Sequence, residues 1–136
     1  MSTPAAGLVR LRAAATSGAL AALCEQHGVR VLSVFGSAAR GEVAARDLDI
    51  GVFTESGGPL DLVELVTDLV TLTGVDAVDL AHLNRAGPVL RERALVGSVA
   101  LFESAPGQFA AAQTAAIGER IETDGLRRLD LELLTR

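Results

Sequence analysis

Two aspartates that lie close together in the chain have the spacing of a cation site. Asp47 and Asp49 are two positions apart, and in a β-strand this spacing puts both carboxylates on one face, with Leu48 and Ile50 on the other. Carboxylate oxygens are ligands that suit Mg²⁺, which often shares them with the phosphates of a substrate. Taken alone, such a pair is more often a water-exposed pair at the start of a strand. Beside a phosphate-binding turn it makes a site for Mg²⁺.

A glycine–serine turn precedes the two aspartates and suits a phosphate group. Gly36 and Ser37 follow an apolar, β-branched run at residues 29–35, and a short Ala-Arg segment leads from them to Gly41. Gly36 allows a ligand to approach the backbone closely. Ser37 can cap a short helix whose unpaired N–H groups would face an anion. The stretch predicts strand, turn, short helix, loop and strand.

The stretch GSAARGEVAARDLD at residues 36–49 resembles the G-S-x-A-R-G…D-x-D motif of the DNA polymerase β-like nucleotidyltransferases. It is similar in particular to the minimal nucleotidyltransferases (MNT), small prokaryotic proteins usually encoded beside a HEPN-family partner. The chain departs from the motif at Arg46, where the family usually has Ser. This departure changes the local charge and leaves both carboxylates in place.

A third carboxylate is expected from the run VDAVDLA at residues 75–81, which predicts a strand. Asp76 and Asp79 would point to opposite faces of that strand because their separation is odd. The V-D-L pattern of the family favours Asp79. His82 follows it and is expected to have a structural or peripheral role. Cys24 is expected to be a small core residue, and a lone cysteine excludes an internal disulfide.

The resemblance implies the transfer of a nucleotide from a triphosphate. Asp47 and Asp49 would hold two Mg²⁺ ions, and Asp79 would complete the second metal's ligand set or accept the hydroxyl proton. This chemistry consists mostly of positioning and electrostatic stabilisation.

The resemblance also implies that Gly36 and Ser37 bind the β- and γ-phosphates. For Arg40 two interpretations stay open. It contacts a phosphate, or it forms an ion pair with Glu42 or Asp47 that braces the turn.

The acceptor implied by the resemblance belongs to another protein. In the MNT family this is a HEPN toxin, a ribonuclease neutralised when AMP is transferred from ATP to a Tyr near its active site. The short chain supports this expectation, because no second domain remains to bind an acceptor. Two alternatives are a non-catalytic antitoxin that acts by binding alone, and a nucleotidyltransferase that acts on tRNA.

Composition excludes several classes of protein. The 136 residues carry a net charge of −5 and contain no Lys, which argues against an extensive nucleic-acid surface. No apolar run approaches the roughly 20 residues of a membrane span, and the N-terminus lacks a signal-peptide pattern. A cytoplasmic protein is expected. Because 49% of the residues are hydrophobic, a single domain over residues 1–136 with one sizeable core is expected.

The order of predicted elements indicates an α/β (α+β) fold, a small mixed sheet flanked by helices, and the resemblance implies the palm-like nucleotidyltransferase version of it. A helix over 4–27 is expected to break at Thr16–Gly18 and to end at Gly28. A turn is predicted at 56–59. Strands are predicted at 29–35, 47–54, 75–81 and 99–102, and helices at 37–40, from Pro59 or Asp61 to Gly74, at 86–95, and at about 108–134 with weak points at Gly118 and Gly125.

Overall fold

The computed structural model describes residues 2–55 and 60–134, except for the side chains of residues 127 and 129–134. The turn predicted at 56–59 lies outside this description. The elements in chain order are α1 (Pro4–Ser17), α2 (Ala19–His27), β1 (Val29–Phe35), α3 (Gly36–Ala39), β2 (Leu48–Thr54), α4 (Leu62–Thr73), β3 (Val78–His82), a 3₁₀ turn (Leu83–Arg85), α5 (Pro88–Leu95), β4 (Val99–Glu103) and α6 (Gln108–Leu134).

The four strands form one mixed sheet in the order β3-β2-β1-β4. β1 is antiparallel to both β2 and β4, and β2 is parallel to β3. The mixed sheet flanked by helices that the sequence predicts is therefore confirmed. β1 lies inside the sheet, and its side chains are buried on both faces, which explains its nearly continuous apolar sequence.

Glycines set the boundaries of the first two helices. Gly18 has φ 90° and separates α1 from α2, and Gly28 has φ 68° and ends α2. Both conformations lie in the left-handed region that glycine adopts at little cost. The predicted break and the predicted end are confirmed. Asp61 caps α4, accepting a hydrogen bond from the Glu64 N–H at 3.0 Å.

Several elements differ from the prediction, and α3, α5 and β4 do so by only one or two residues at their ends. β3 begins at Val78, so Asp76 precedes the strand and lies in the connecting loop. β2 begins at Leu48, so Asp47 is the last residue of the loop before it. α6 runs without interruption through Gly118 and Gly125, because a glycine inside a helix costs only about 1 kcal/mol and contacts along the rest of the helix exceed that cost.

The core has one part on each face of the sheet. α1, α2 and α4 cover one face, where Cys24 is fully buried, as expected, and burial raises the pKa of its thiol to about 12. α5 and α6 cover the other face. The first part includes Leu11, Leu20, Leu32, Val34, Leu48, Ile50, Leu65 and Leu69, and the second includes Val31, Phe35, Phe53, Leu83, Leu95 and Ala116.

Candidate active site

Two of the predicted aspartates lie side by side on neighbouring strands. In the parallel ladder between β2 and β3, Asp49 is the direct partner of Asp79. Partnered residues of adjacent strands point to the same side of a sheet. Leu48 and Ile50, which flank Asp49, are fully buried on the opposite face. The alternation predicted from the sequence therefore holds, and the structure brings Asp79 rather than Asp76 to Asp49.

Asp49 lies in surroundings that disfavour its negative charge. Burial raises the pKa of the Asp49 carboxyl above its ordinary value, and the carboxylates of Asp79 and Asp47 raise that pKa further. The guanidinium of Arg93 on α5 acts in the opposite direction. A raised pKa in a carboxylate cluster means that the negative charges destabilise one another. A bound cation would relieve that repulsion.

The three aspartates do not form a tight cage. Across the part of the chain with described side chains, the group of His, Cys, Asp or Glu residues whose ligand atoms all lie within 4.8 Å of one another is a different one, made of His27, Glu64 and Asp68. Asp47 and Asp49 instead line an open depression, and Asp79 is paired with Asp49 on the neighbouring strand.

Gly36 is required at the turn for two reasons. Its φ is 72°, a left-handed conformation that side chains rarely adopt. A Cβ atom at this position would also collide with the Asp49 carboxylate oxygen Oδ2. This close approach follows from the sheet, in which Phe35, the residue before Gly36, is paired with Asp49. The turn and the aspartate are therefore fixed against each other.

A depression of about 760 Å³ opens beside the loop between α3 and β2. Ser37 and two of the predicted aspartates share it with residues of that loop. Its lining consists of Ser37, Glu42, Val43, Ala44, Ala45, Arg46, Asp47 and Asp49.

The expectation that Ser37 caps the short helix is wrong. α3 begins at Gly36, so Ser37 lies inside its first turn, and the residue at the cap position is Phe35, which makes no side-chain cap hydrogen bond. The reason is that the chain turns into the helix at once after β1. Ser37 nevertheless lines the depression.

Arg40 adopts one of the two predicted arrangements. Its Nη2 atom lies 3.4 Å from Glu42 Oε2, and both side chains are exposed. Arg40 does not line the depression, whereas Arg46, the departure from the family motif, does. The basic group at the edge of the depression is therefore supplied by the loop.

Arg93 is a residue that the sequence analysis missed. It is exposed on α5, next to Ala94, whose Cβ lies against the β2 backbone at Gly51. No local motif marks it, because its nearness to Asp49 depends on how α5 packs on the sheet.

His82 has the peripheral position expected for it. It is paired with Val52, three residues along the strands from the Asp49–Asp79 pair, which corresponds to about 10 Å. Its Nε2 atom lies 3.2 Å from the Thr54 hydroxyl. Burial lowers the pKa of this imidazole.

Comparison with known proteins identifies the family. The family described as polymerase beta, nucleotidyltransferase matches residues 19–106. This range contains the whole arrangement from Gly36 to Asp79. The chain belongs to this nucleotidyltransferase family. The predictions of the family and of a nucleotidyltransferase enzyme are thereby confirmed.

One sequence relative is a Methanocaldococcus jannaschii protein named "putative protein adenylyltransferase". It is 42% identical over 72 residues, which make up 52% of this chain and 76% of that protein. A solved structure named "putative minimal nucleotidyltransferase" is 39% identical, with a TM-score of 0.52, and covers 62% of this chain and 88% of that one.

More complete structural matches are more distant in sequence. A chain from a complex of a tri-AMPylated Shewanella oneidensis HEPN toxin with its MNT antitoxin has a TM-score of 0.65 at 17% identity, covering 96% of this chain and 99% of that one. A chain from a toxin–antitoxin structure with AMP-PNP has a TM-score of 0.67 at 19% identity, covering 88% and 98%. These matches establish the fold.

Throughout residues 2–55 and 60–134, no helix combines the length and the hydropathy needed to cross a bilayer.

Proposed function

We propose that this protein is a Mg²⁺-dependent nucleotidyltransferase that transfers AMP from ATP to a Tyr hydroxyl of a HEPN toxin and so neutralises it. The observation that carries the proposal is the direct pairing of Asp49 with Asp79 beside the Gly36 turn. Ser37 and Asp47 share the adjoining depression with Asp49. Carboxylates and an opening beside the Gly36–Ser37 turn are thereby combined in one place.

The donor set fits magnesium. Asp47, Asp49 and Asp79 would hold two Mg²⁺ ions, because all three offer only oxygen atoms. Burial, together with the two neighbouring carboxylates, already raises the pKa of Asp49. When bound, Mg²⁺ neutralises phosphate charge and lowers the pKa of an attacking hydroxyl.

The chain's own residues would position the triphosphate. The backbone at Gly36, which has no side chain to block approach, and the Ser37 hydroxyl would hold the β- and γ-phosphates. Arg46 at the edge of the depression would attract the negative charge of ATP. Arg40 is held by Glu42 and would brace the loop.

The transfer step itself needs a base. Asp79, exposed at the edge strand β3, would take the proton of the acceptor hydroxyl while that oxygen bonds to the α-phosphorus and pyrophosphate leaves. Asp79 suits this role because an edge strand leaves its carboxylate accessible to a group brought by a second protein.

The acceptor is proposed to be a partner protein. The depression beside Asp47 and Asp49 is open, which leaves room for an acceptor group supplied by another protein. The Methanocaldococcus jannaschii relative carries the name of a protein adenylyltransferase, and the Shewanella oneidensis complex contains an AMPylated HEPN toxin. The first name supports a protein as the acceptor, and the second supports a HEPN toxin as the partner. The reaction is proposed to take place in the cytoplasm.

The decisive experiment is label transfer from α-labelled ATP with Mg²⁺. The acceptors are the product of the adjacent gene, which is proposed to be a HEPN-family protein, its Tyr→Phe variants, and total tRNA in parallel reactions. We expect label on the HEPN protein, dependent on one Tyr and on Mg²⁺. The Asp47→Ala/Asp49→Ala double variant is the matched blank and should transfer nothing.

Two other outcomes would contradict the proposal. Label on tRNA would make the protein an RNA nucleotidyltransferase, against the expectation from its net charge. Stable binding of the HEPN protein without any transfer would make it an antitoxin that acts by binding alone.

A further inference from the structure

A histidine and two carboxylates converge at the end of the molecule opposite the candidate active site. His27 is the last residue of α2, and Glu64 and Asp68 lie on α4. One ligand atom from each lies within 4.8 Å of the other two. The His27 Nε2 atom is 2.6 Å from Asp68 Oδ2.

The backbones that carry these side chains are fixed by the core. Gly28 ends α2 with its N–H directed at the carbonyls of Cys24 and Glu25, and Cys24 itself is fully buried. α4 is anchored by Leu65 and Leu69, which are completely buried. The donors are therefore presented by two rigid helices.

The side chains are well placed to share one ion. Glu64 and Asp68 are four residues apart, so they lie on the same face of α4 one turn from each other. The His27 side chain is only 5% exposed, whereas that of Asp68 is 37% exposed and Glu64 is exposed. The group is thus closed on the protein side and open to water on the other.

The donor set favours zinc over magnesium. One imidazole nitrogen with two carboxylates leaves a fourth position for water, an arrangement typical of an open four-coordinate Zn²⁺ site. Mg²⁺ prefers oxygen ligands alone, and an imidazole nitrogen in the set counts against it.

This group is separate from the nucleotidyl-transfer site. β1 begins at Val29, two residues after His27, and ends at Phe35, immediately before Gly36. Seven strand residues span about 23 Å. An ion held by His27 therefore cannot be one of those held by Asp47 and Asp49.

We propose that His27, Glu64 and Asp68 form a second metal site, specific for Zn²⁺, that clamps α2 to α4. The two helices are separated nearby by a groove of about 470 Å³, with Leu23 on the α2 side and Leu72 on the α4 side. The ion would tie the helices together beside this gap. Because it would bind the folded chain, it would raise the stability of the fold.

Zinc binding is best measured on the full-length Asp47→Ala/Asp49→Ala variant, which removes the catalytic carboxylates and needs no nucleotide. Titration with ZnCl₂ should give one equivalent bound, and Co²⁺ should give the visible absorption of a four-coordinate site. His27→Gln and Asp68→Asn should each weaken Zn²⁺ binding at least about tenfold. His27→Gln keeps a hydrogen-bond donor toward Asp68, so the fold should persist, which its circular dichroism would verify.

The matched control is Glu122→Gln, which makes the same charge change as Asp68→Asn on the exposed surface of α6. It should bind Zn²⁺ like the parent. Binding that is equal in all these variants, or no binding of Zn²⁺ at all, would overturn the proposal. Because the assay contains no ATP and no acceptor, neither result depends on the proposed transferase activity.

Discussion

Asp49 is the residue on which the candidate site depends most. Its carboxyl is partly removed from water and is flanked by the carboxylates of Asp79 and Asp47. Folding alone does not favour such a cluster, because like charges raise the free energy of the ionised form. The proposed binding of a cation would explain why the fold keeps the three groups together.

The stability of an Asp49→Asn variant should depend on pH in a defined way. The pKa of Asp49 is raised in the folded chain above its ordinary value of 3.8, so the wild-type protein loses stability as pH rises through the interval between these two values. Without Mg²⁺, Asp49→Asn should have the higher Tm at pH 7, and its advantage should shrink as pH falls toward 4. Thermal unfolding of both proteins across this pH range measures the difference in Tm. A difference that stays constant with pH would contradict the prediction.

The assignment of Asp79, and not Asp76, as the third carboxylate of the site can be tested by substitution. Asp79→Asn should lower the rate of AMP transfer by about 10²–10³-fold, as expected when one charged group that acts on the transition state is removed. Asp76→Asn makes the same change in the loop before β3 and should leave the rate within about twofold. The opposite order of effects in the label-transfer assay would assign the role to Asp76.

The contact between Gly36 and Asp49 can be tested apart from the backbone strain that any left-handed glycine position causes when it is substituted. Gly36 and Gly41 have φ 72° and φ 77°, so Ala at each should cost about 1–2 kcal/mol of stability from backbone strain. The Cβ at position 36 also meets the Asp49 carboxylate, whereas position 41 has no atom outside its chain neighbours within 4 Å. Only Gly36→Ala should therefore abolish transfer. Equal activity of the two variants would show that this contact is unimportant.

At the scale of elements, the helices that cover the sheet are held by a few fully buried side chains. α4 shows this clearly. Its Leu65 and Leu69 are completely buried, whereas Val63 on the opposite side is 78% exposed. The apolar residues on the buried face of α4 recur at helical spacing, and this pattern is why the sequence predicted the helix correctly.

Truncation on the two faces of α4 should have different costs. Leu69→Ala should lower the free energy of unfolding by about 2–5 kcal/mol, because it leaves a cavity in the core. Val63→Ala should change it by less than about 0.5 kcal/mol. Urea unfolding of the two variants measures the difference, and similar values would mean that α4 is not packed as described.

At the scale of the whole molecule, α6 completes the core rather than standing apart from it. Its Ala116 is buried with Phe35 and Phe53 of the sheet. Its Glu119 also binds Arg91 of α5 through two hydrogen bonds of 2.8 and 3.0 Å. These contacts support the proposal of a single domain that includes the C-terminal helical region.

A charge placed on α6 should test that proposal. Ala116→Glu would bury an unpaired carboxylate and should cost at least about 3 kcal/mol. The neighbouring Ala115 is exposed, and Ala115→Glu should be nearly neutral. Both proteins should unfold in a single transition in calorimetry if the chain is one domain. A separate transition for α6, untouched by Ala116→Glu, would show that it folds apart.

Most elements were predictable because their signals are local. Gly18, Gly28 and Gly74 mark helix ends through backbone conformations that only glycine adopts easily. The boundaries that failed lack such a signal. β3 starts at Val78 rather than at residue 75 because a strand needs a neighbouring strand to pair with. Its neighbour β2 begins at Leu48, and Leu48 is the partner of Val78.

The sequence by itself determined the chemistry of the candidate site. The spacing of Asp47 and Asp49, the Gly36–Ser37 turn and the resemblance in residues 36–49 depend on neighbouring residues, and local periodicity decides which face of a strand each residue occupies. Only the tertiary structure decided which distant groups meet. It placed Asp79 beside Asp49, Arg93 near that pair, and His27 against Asp68. These contacts join elements that are far apart in the chain, so they follow from how the apolar faces pack and not from any local pattern.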